Sequence, residues 1–328
     1  ARDGPPVAHG PRRATTLINP MTVNEKRWAI LGLLVNAFVW GVSWWPLRQL
    51  NAAGFHPLWG TLTVFAPALL VVGLWYRQCW RTVLTNPSLW ALALAAGATN
   101  VGFNWAYTTG DVIRVILLFY TMPAWAVLLA WWLLGERPTP AALFRLVIAF
   151  AGLWLVLWTP GSAWPVPQSA ADVLALVAGF MFALNNVLLR RGRNHGTGAR
   201  VLAMFFGAVF LNTLVAFGGY SLGLLEAPKP VNADWVPVAL GLSLAVVAAN
   251  FSIQYGAARL ASSTTSVVML SEVVFGSVSA IALGAAVFVP QTGVGALCIM
   301  TAAMMAALAR QAPQPTPPSA ETTTANSP

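Results

Sequence analysis

One carboxylate and two pairs of amides stand out in an otherwise apolar sequence. Glu272 lies near the middle of a long hydrophobic run, in Met269-Leu-Ser-Glu272-Val-Val. Asn100 and Asn104, and again Asn250 and Gln254, are spaced four residues apart within two other runs. That spacing is about one helical turn, so each pair shares a face. Polar side chains at such depth are costly and usually face a cavity or another helix. The amides therefore have two readings. They line a substrate cavity and hydrogen-bond a zwitterion or other polar group, or they bond across helix interfaces and hold the packing together. Glu272 has two readings as well. A carboxyl there should be protonated at rest or paired, because desolvation penalises its charged form. It is a candidate proton-coupling or substrate-amine group, or a neutral acid bonded to a neighbouring helix.

Aromatic residues accompany these groups. Asn36, Trp40, Ser43 and Trp44 fall on one face of the first run, and Phe182, Asn185 and Asn186 on its counterpart in the sixth. Trp105, Tyr107 and Tyr255 lie beside the amide pairs. A wall of Trp, Phe and Asn suits a flat apolar group with polar ends. Most of the 16 tryptophans, such as Trp28, Trp59, Trp80, Trp90 and Trp164, sit near the ends of runs, as an interfacial belt would place them. Asp111 three residues before Arg114 permits an intrahelical pair, and Asp172 is placed to cap the sixth run. No Ser–His, Cys–His or paired-carboxylate arrangement lies within the runs, so no enzyme is expected. Cys79 and Cys298 have no metal-ligand spacing and are read as unpaired thiols, and His9, His56 and His195 fall in tails or loops. No metal and no cofactor is expected.

The elements that must position these residues follow from composition. Hydrophobic residues make up 58% of the chain and charged ones 8%, against about 25% charged in soluble domains. The mean hydropathy is +0.69. A soluble enzyme, a nucleic-acid binder and a disordered scaffold are all excluded as readings, and the partner is the lipid bilayer. The apolar runs are continuous rather than alternating, so they are helices and not barrel strands. Ten spans of about 20 residues are expected, over about 28–48, 57–76, 87–109, 112–134, 140–159, 170–191, 199–223, 235–257, 261–284 and 288–309. Turn chemistry separates them, as in Asn51-Ala-Ala-Gly54, Asn86-Pro87 and Pro160-Gly161. Pro67 and Pro123 predict kinks within spans. Residues 1–25 and 311–328 read as disordered tails. No cleavable signal is expected, because the first apolar segment is too long and lacks a small-residue cleavage site.

Charge sets the orientation. With ten spans and a cytoplasmic N-terminus, Arg48, Arg114 and Lys229 fall outside and every other basic residue falls inside. This positive-inside bias puts both termini in the cytoplasm and explains the net charge of +9 without nucleic acid. The chain also resembles itself. A shift of 150 superposes the third span on the eighth: Pro87 on Pro237, Leu92 on Leu242, Ala98 on Ala248, Asn100 on Asn250, Asn104 on Gln254 and Trp105 on Tyr255. A shift of 142 superposes the first on the sixth, with Phe38 on Phe180, Leu47 on Leu189 and Arg48 on Arg190. The expected fold class is an all-α membrane protein with ten transmembrane helices as two inverted five-helix repeats, residues 26–159 and 160–310. Inverted repeats suit alternating access to a central site.

Three segments carry a family resemblance. Trp40-Gly-Val-Ser-Trp44-Trp-Pro-Leu-Arg48 resembles the first-helix pattern of the drug/metabolite transporter superfamily, in its EamA-type branch. Pro123 followed by Gly135-Glu136-Arg137-Pro138 is similar to the fourth-helix motif. Ser271-Glu272-Val273-Val274-Phe275 is similar to the ninth, although Val273 replaces a usual proline and Gly284-Ala285 a usual Gly-Glu. The Trp-rich composition is most similar to YddG-type aromatic amino acid exporters. The resemblance implies a monomeric bacterial inner-membrane exporter of aromatic and other neutral amino acids. Export of cationic drugs or other metabolites is the alternative, resting on Glu272. Gly41, Gly97, Gly102, Gly276 and Pro123 are candidate flex points, though glycine in membrane helices also serves close packing.

Overall fold

A computed structural model describes residues 22–109, 112–158, 167, 169–228, 235–285 and 289–308. Each of the ten expected segments contains helix. The elements are α1 (Val23–Val42), α2 (Trp44–Ala52), α3 (Pro57–Trp75), α4 (Trp80–Thr85), α5 (Pro87–Thr109), α6 (Val112–Phe119), α7 (Met122–Leu134), α8 (Pro140–Leu157), α9 (Ala170–Arg191), α10 (Thr197–Ser221), α11 (Val236–Ala257), α12 (Ser262–Met269), α13 (Ser271–Ala282) and α14 (Pro290–Leu308). Among the described residues, six stretches are long and apolar enough to cross a bilayer: α1–α2, α3, α9, α10, α11 and α12–α13. Shorter apolar helices occupy α7, α8 and α14.

Local chemistry sets the ends. Thr22 and Glu25 form a capping box, so α1 begins at Val23, several residues before the expected span. His56 and Thr139 cap α3 and α8, each followed by a proline at the first helical position. Ser169 caps α9 by accepting from the Asp172 amide, so Asp172 stands in the first turn rather than at the cap. Gly135 ends α7 in the left-handed conformation, at φ 70°. The short helix α4 was not expected. Asp111, the Arg114 side chain and Trp164 lie outside the described residues.

Among the described residues, three spans are interrupted, at Ser43, at Tyr120–Thr121 and at Leu270. Each interruption is a tightened turn rather than an unwound loop. Ser43, Thr121 and Leu270 have φ of −64°, −68° and −61° with ψ of −16°, −7° and −17°. Their amides donate to the carbonyl three residues back, at 3.2 Å in all three cases. A hydroxyl seals each one. Ser43 donates to Trp40, Thr121 to Leu118 and Ser271 to Val268, all at 2.7 Å. Pro123 stands at the start of α7, just after the second interruption, whereas Pro67 lies inside an uninterrupted α3.

α5 packs along α9 and α10, α1 along α11 and α13, and α8 along α14. These contacts rest on glycine. A Cβ on Gly207 of α10 would lie 1.9 Å from the Ala93 carbonyl, and one on Gly97 would lie 2.3 Å from the Gly207 carbonyl. Gly152 of α8 and Gly295 of α14 approach one another in the same way, at 2.7 and 2.6 Å. Gly41 meets the Glu272 carbonyl at 2.6 Å, and Gly102 meets Ala178 at 3.2 Å. Large apolar side chains such as Leu70, Trp75, Trp132, Val147, Leu214, Leu244 and Leu297 point outward. Water would not tolerate so much apolar surface, and a hydrocarbon layer requires it. The chain is a multi-pass membrane protein.

Replacing Gly207 with alanine should overpack α5 against α10 at a cost of about 1–3 kcal/mol. Gly218→Ala in the same helix, where a Cβ meets nothing within 4 Å, should leave stability level or slightly raised. Thermal unfolding in detergent checks the contrast.

Candidate functional site

The interruptions bring the chemistry together. Tyr120 occupies the one between α6 and α7, and Glu272 sits in the first turn of α13, just past Leu270. The buried Tyr120 hydroxyl donates to the Glu272 carboxyl. Glu272 is thus paired with a neutral donor on a different span. Its backbone carbonyl lies against Gly41 of α1, so three interrupted spans converge within a few residues of one carboxyl.

Aromatic side chains continue from this point. Trp40 stacks on Phe65 of α3, with centroids 6.3 Å apart and planes 25° apart. Phe65 packs in turn on Phe205 of α10 at 5.7 Å. Phe38 meets Phe275 edge-on at 5.5 Å, and the Trp44 indole donates to the Ser279 hydroxyl at 2.9 Å. The first-span motif therefore covers α13 along its length.

The amides divide. Asn36 is buried and donates to the Ala249 carbonyl of α11 at 2.8 Å. Asn104 donates to the Thr61 hydroxyl of α3, and Asn100 only to Ala96 of its own helix, at 2.9 Å. Asn250 and Gln254 both turn to the Met204 sulfur of α10, at 3.8 and 2.9 Å. Asn186 is fully buried, and neither of its amide atoms has a partner. The side-chain oxygens of Asn36, Asn185, Asn250 and Gln254 are also unpartnered. A buried polar group with no hydrogen bond costs about 1–3 kcal/mol, so packing alone does not account for this set of atoms.

Some expected residues lie elsewhere. Trp105 packs with Phe55, Leu58 and Trp59 at the far end of α5, and Tyr255 lies under the Arg259 guanidinium, 3.7 Å from its ring centroid. The Tyr107 side chain lies outside the described residues. Trp59, placed in the belt by sequence, is buried and donates to the Glu226 carbonyl at 2.9 Å. Cys79 and Cys298 are unpaired. Cavities of about 150 and 430 Å³ are lined by Gln49, Leu50 and Trp235 and by Leu69, Arg77 and Trp80, and neither includes an expected site residue.

Sequence reading missed Tyr120 and the Glu136–Arg190 ion pair, which joins the end of α7 to the end of α9. Tyr120 did carry a signal. It lies 150 residues before Leu270, the offset that superposes the third and eighth spans.

Comparison with known proteins agrees with this architecture. Residues 27–158 match the EamA-like transporter family. Protein RarD of Salmonella typhi and protein RarD of Salmonella typhimurium are each 25% identical over 182 residues. That stretch is 52% of this chain and spans 58% of those relatives' length. A solved crystal structure of a protein superposes with a TM-score of 0.69 at 19% identity, covering 85% of this chain and 96% of that one, so the two share a fold.

If Asn36 is an interhelical tie, Asn36→Ala should lower stability by about 1 kcal/mol. Asn100→Ala, which breaks only an intrahelical bond, should stay within about 0.5 kcal/mol of the parent. Chemical or thermal unfolding of the two variants side by side measures the difference.

Proposed function

We propose that this chain is a ten-span transporter of a bacterial inner membrane, acting as a monomer with both termini cytoplasmic, that exports aromatic and other neutral amino acids by alternating access. The observation that carries the reading is the meeting of Glu272 with Tyr120. Each stands at the interruption of a span, and the two interruptions lie 150 residues apart. Interrupted helices that present polar groups to one another inside a bilayer are how transporters build a midplane site.

Two inverted repeats make sense of the contacts. Exchanging the halves carries the α5–α9 contact onto α11–α1 and the α9 contact with α6–α7 onto the α1 contact with α12–α13. The bond from Asn104 to Thr61 of α3 has its counterpart in the contact of Gln254 with Met204 of α10. Gly135 and Gly284 end their helices with the same φ of 70°. An amino acid would place its ammonium at Glu272 and its ring along the Trp40–Phe65–Phe205 stack. The side-chain oxygens of Asn250 and Gln254, which have no partner, can accept from its N–H or O–H donors.

Flux of labelled Phe, Trp and Thr in proteoliposomes tests the substrate class. All three should move down their gradients faster than through protein-free vesicles. Movement of a different solute with none of these would overturn the reading. Glu272 also favours a second reading, export of cationic drugs or other metabolites. Glu272→Gln keeps a hydrogen-bonding group beside Tyr120 and removes the charge. If amino acids are the cargo, it should slow their flux by roughly tenfold or more. Unchanged amino acid flux with loss of cation flux would favour the second reading.

A further inference from the structure

Arg190 makes an enclosed ionic contact. It is 7% exposed, pairs with Glu136 beyond the end of α7 and donates to the Leu260 carbonyl between α11 and α12. One guanidinium thus ties together the ends of four helices, α7, α9, α11 and α12, all at the end of the molecule where the basic residues gather. Just inside this knot lie polar groups with nothing to bond. Asn186 is one turn, about 6 Å, inward of Arg190 on the same helix face. Ser262, Thr265 and Ser266 of α12 are fully buried, and their hydroxyls are unpartnered. Gln254, whose oxygen is unpartnered, lies one turn before the end of α11. α9, α11 and α12 pack against one another, so these groups occupy one layer behind the knot.

Among the described residues, the other end shows no such knot. Arg48 corresponds to Arg190, but Arg48 is exposed, and after Gly284 the place of Glu136 is taken by Ala285. What spans α2 and α13 near that end is the neutral bond from Trp44 to Ser279.

We infer that Arg190, Glu136 and the Leu260 carbonyl form the cytoplasmic gate, and that Asn186, Gln254, Thr265 and Ser266 line a polar vestibule that opens behind it and receives the solute's hydrogen-bonding groups. In the closed state the vestibule is collapsed and its groups are unsatisfied, and opening returns them to water or to the solute. The charged knot at one end and the neutral bond at the other make inward closure the favoured state. This rests on the alternating-access reading but not on the cargo.

Thiol labelling tests it without any substrate. In the full-length chain with Cys79 and Cys298 replaced by serine, Ser266→Cys reports the vestibule and Ser279→Cys reports the opposite end. A membrane-impermeant maleimide is applied from the side each faces. Glu136→Gln should speed labelling at position 266 by roughly tenfold and slow it at 279. Ala285→Glu, which offers Arg48 a partner, should slow labelling at 279 and speed it at 266. Unchanged rates at 266, or a rise at both positions with Glu136→Gln, would overturn the gate, since loosening of the whole fold raises both. Reciprocal labelling in protein that moves no amino acid would uphold the gate and reject the cargo.

Discussion

A helix interrupted inside a hydrocarbon layer exposes backbone groups that only the protein itself can satisfy. This chain interrupts three of its spans and answers each time in the same way. The turn tightens, and a hydroxyl at Ser43, Thr121 or Ser271 donates to the carbonyl three residues back. The helix axis can then bend at that point with the amide and the hydroxyl both bonded. The rest of the arrangement depends on that economy. Interruptions kept dry can lie against one another, and Tyr120 and Glu272 can share a hydrogen bond between two different spans.

Close packing then fixes what may move. Gly97 and Gly207 bring α5 and α10 within a backbone's reach, as Gly152 and Gly295 do for α8 and α14. Interfaces that tight behave as rigid bodies, because small shifts meet hard contacts. The interrupted spans lie between such bodies. On the proposed alternating access, rotation would concentrate at Ser43, Thr121 and Leu270, with the glycine-paired helices travelling as units. Of the glycines that sequence marks as flex points, Gly97 stands in one of these packed interfaces, whereas Gly41 and Gly276 face one another beside Glu272.

Hydrophobic runs and turn residues place helices at every expected position, because burial in lipid leaves little choice of structure for an apolar stretch of about 20 residues. The interruptions were not legible. Serine and threonine within an apolar run look alike whether they bond their own helix, as Thr99 does with Ala95, or seal a tightened turn, as Thr121 does. Glu272 was legible as an isolated charge, but its partner was not, since tyrosine is also an interfacial residue. Asn100 and Asn250 align in sequence, yet one bonds its own backbone and the other faces a methionine sulfur, because the neighbouring helices differ. Arg190 and Glu136 are 54 residues apart, and only the fold brings them into contact.

Alternating access requires the two ends to open in turn around the Tyr120–Glu272 contact. Spin labels at Arg137 and Arg259 span the basic end, and labels at Ala52 and Leu283 span the opposite end; all four positions are exposed. Pulsed dipolar distance measurements on both pairs in lipid nanodiscs, with and without saturating phenylalanine, test it most directly. Two distance populations are expected at each end, with weights that shift in opposite directions on adding the amino acid. A single unchanging distance at both ends, or a change of the same sign at both, would contradict it.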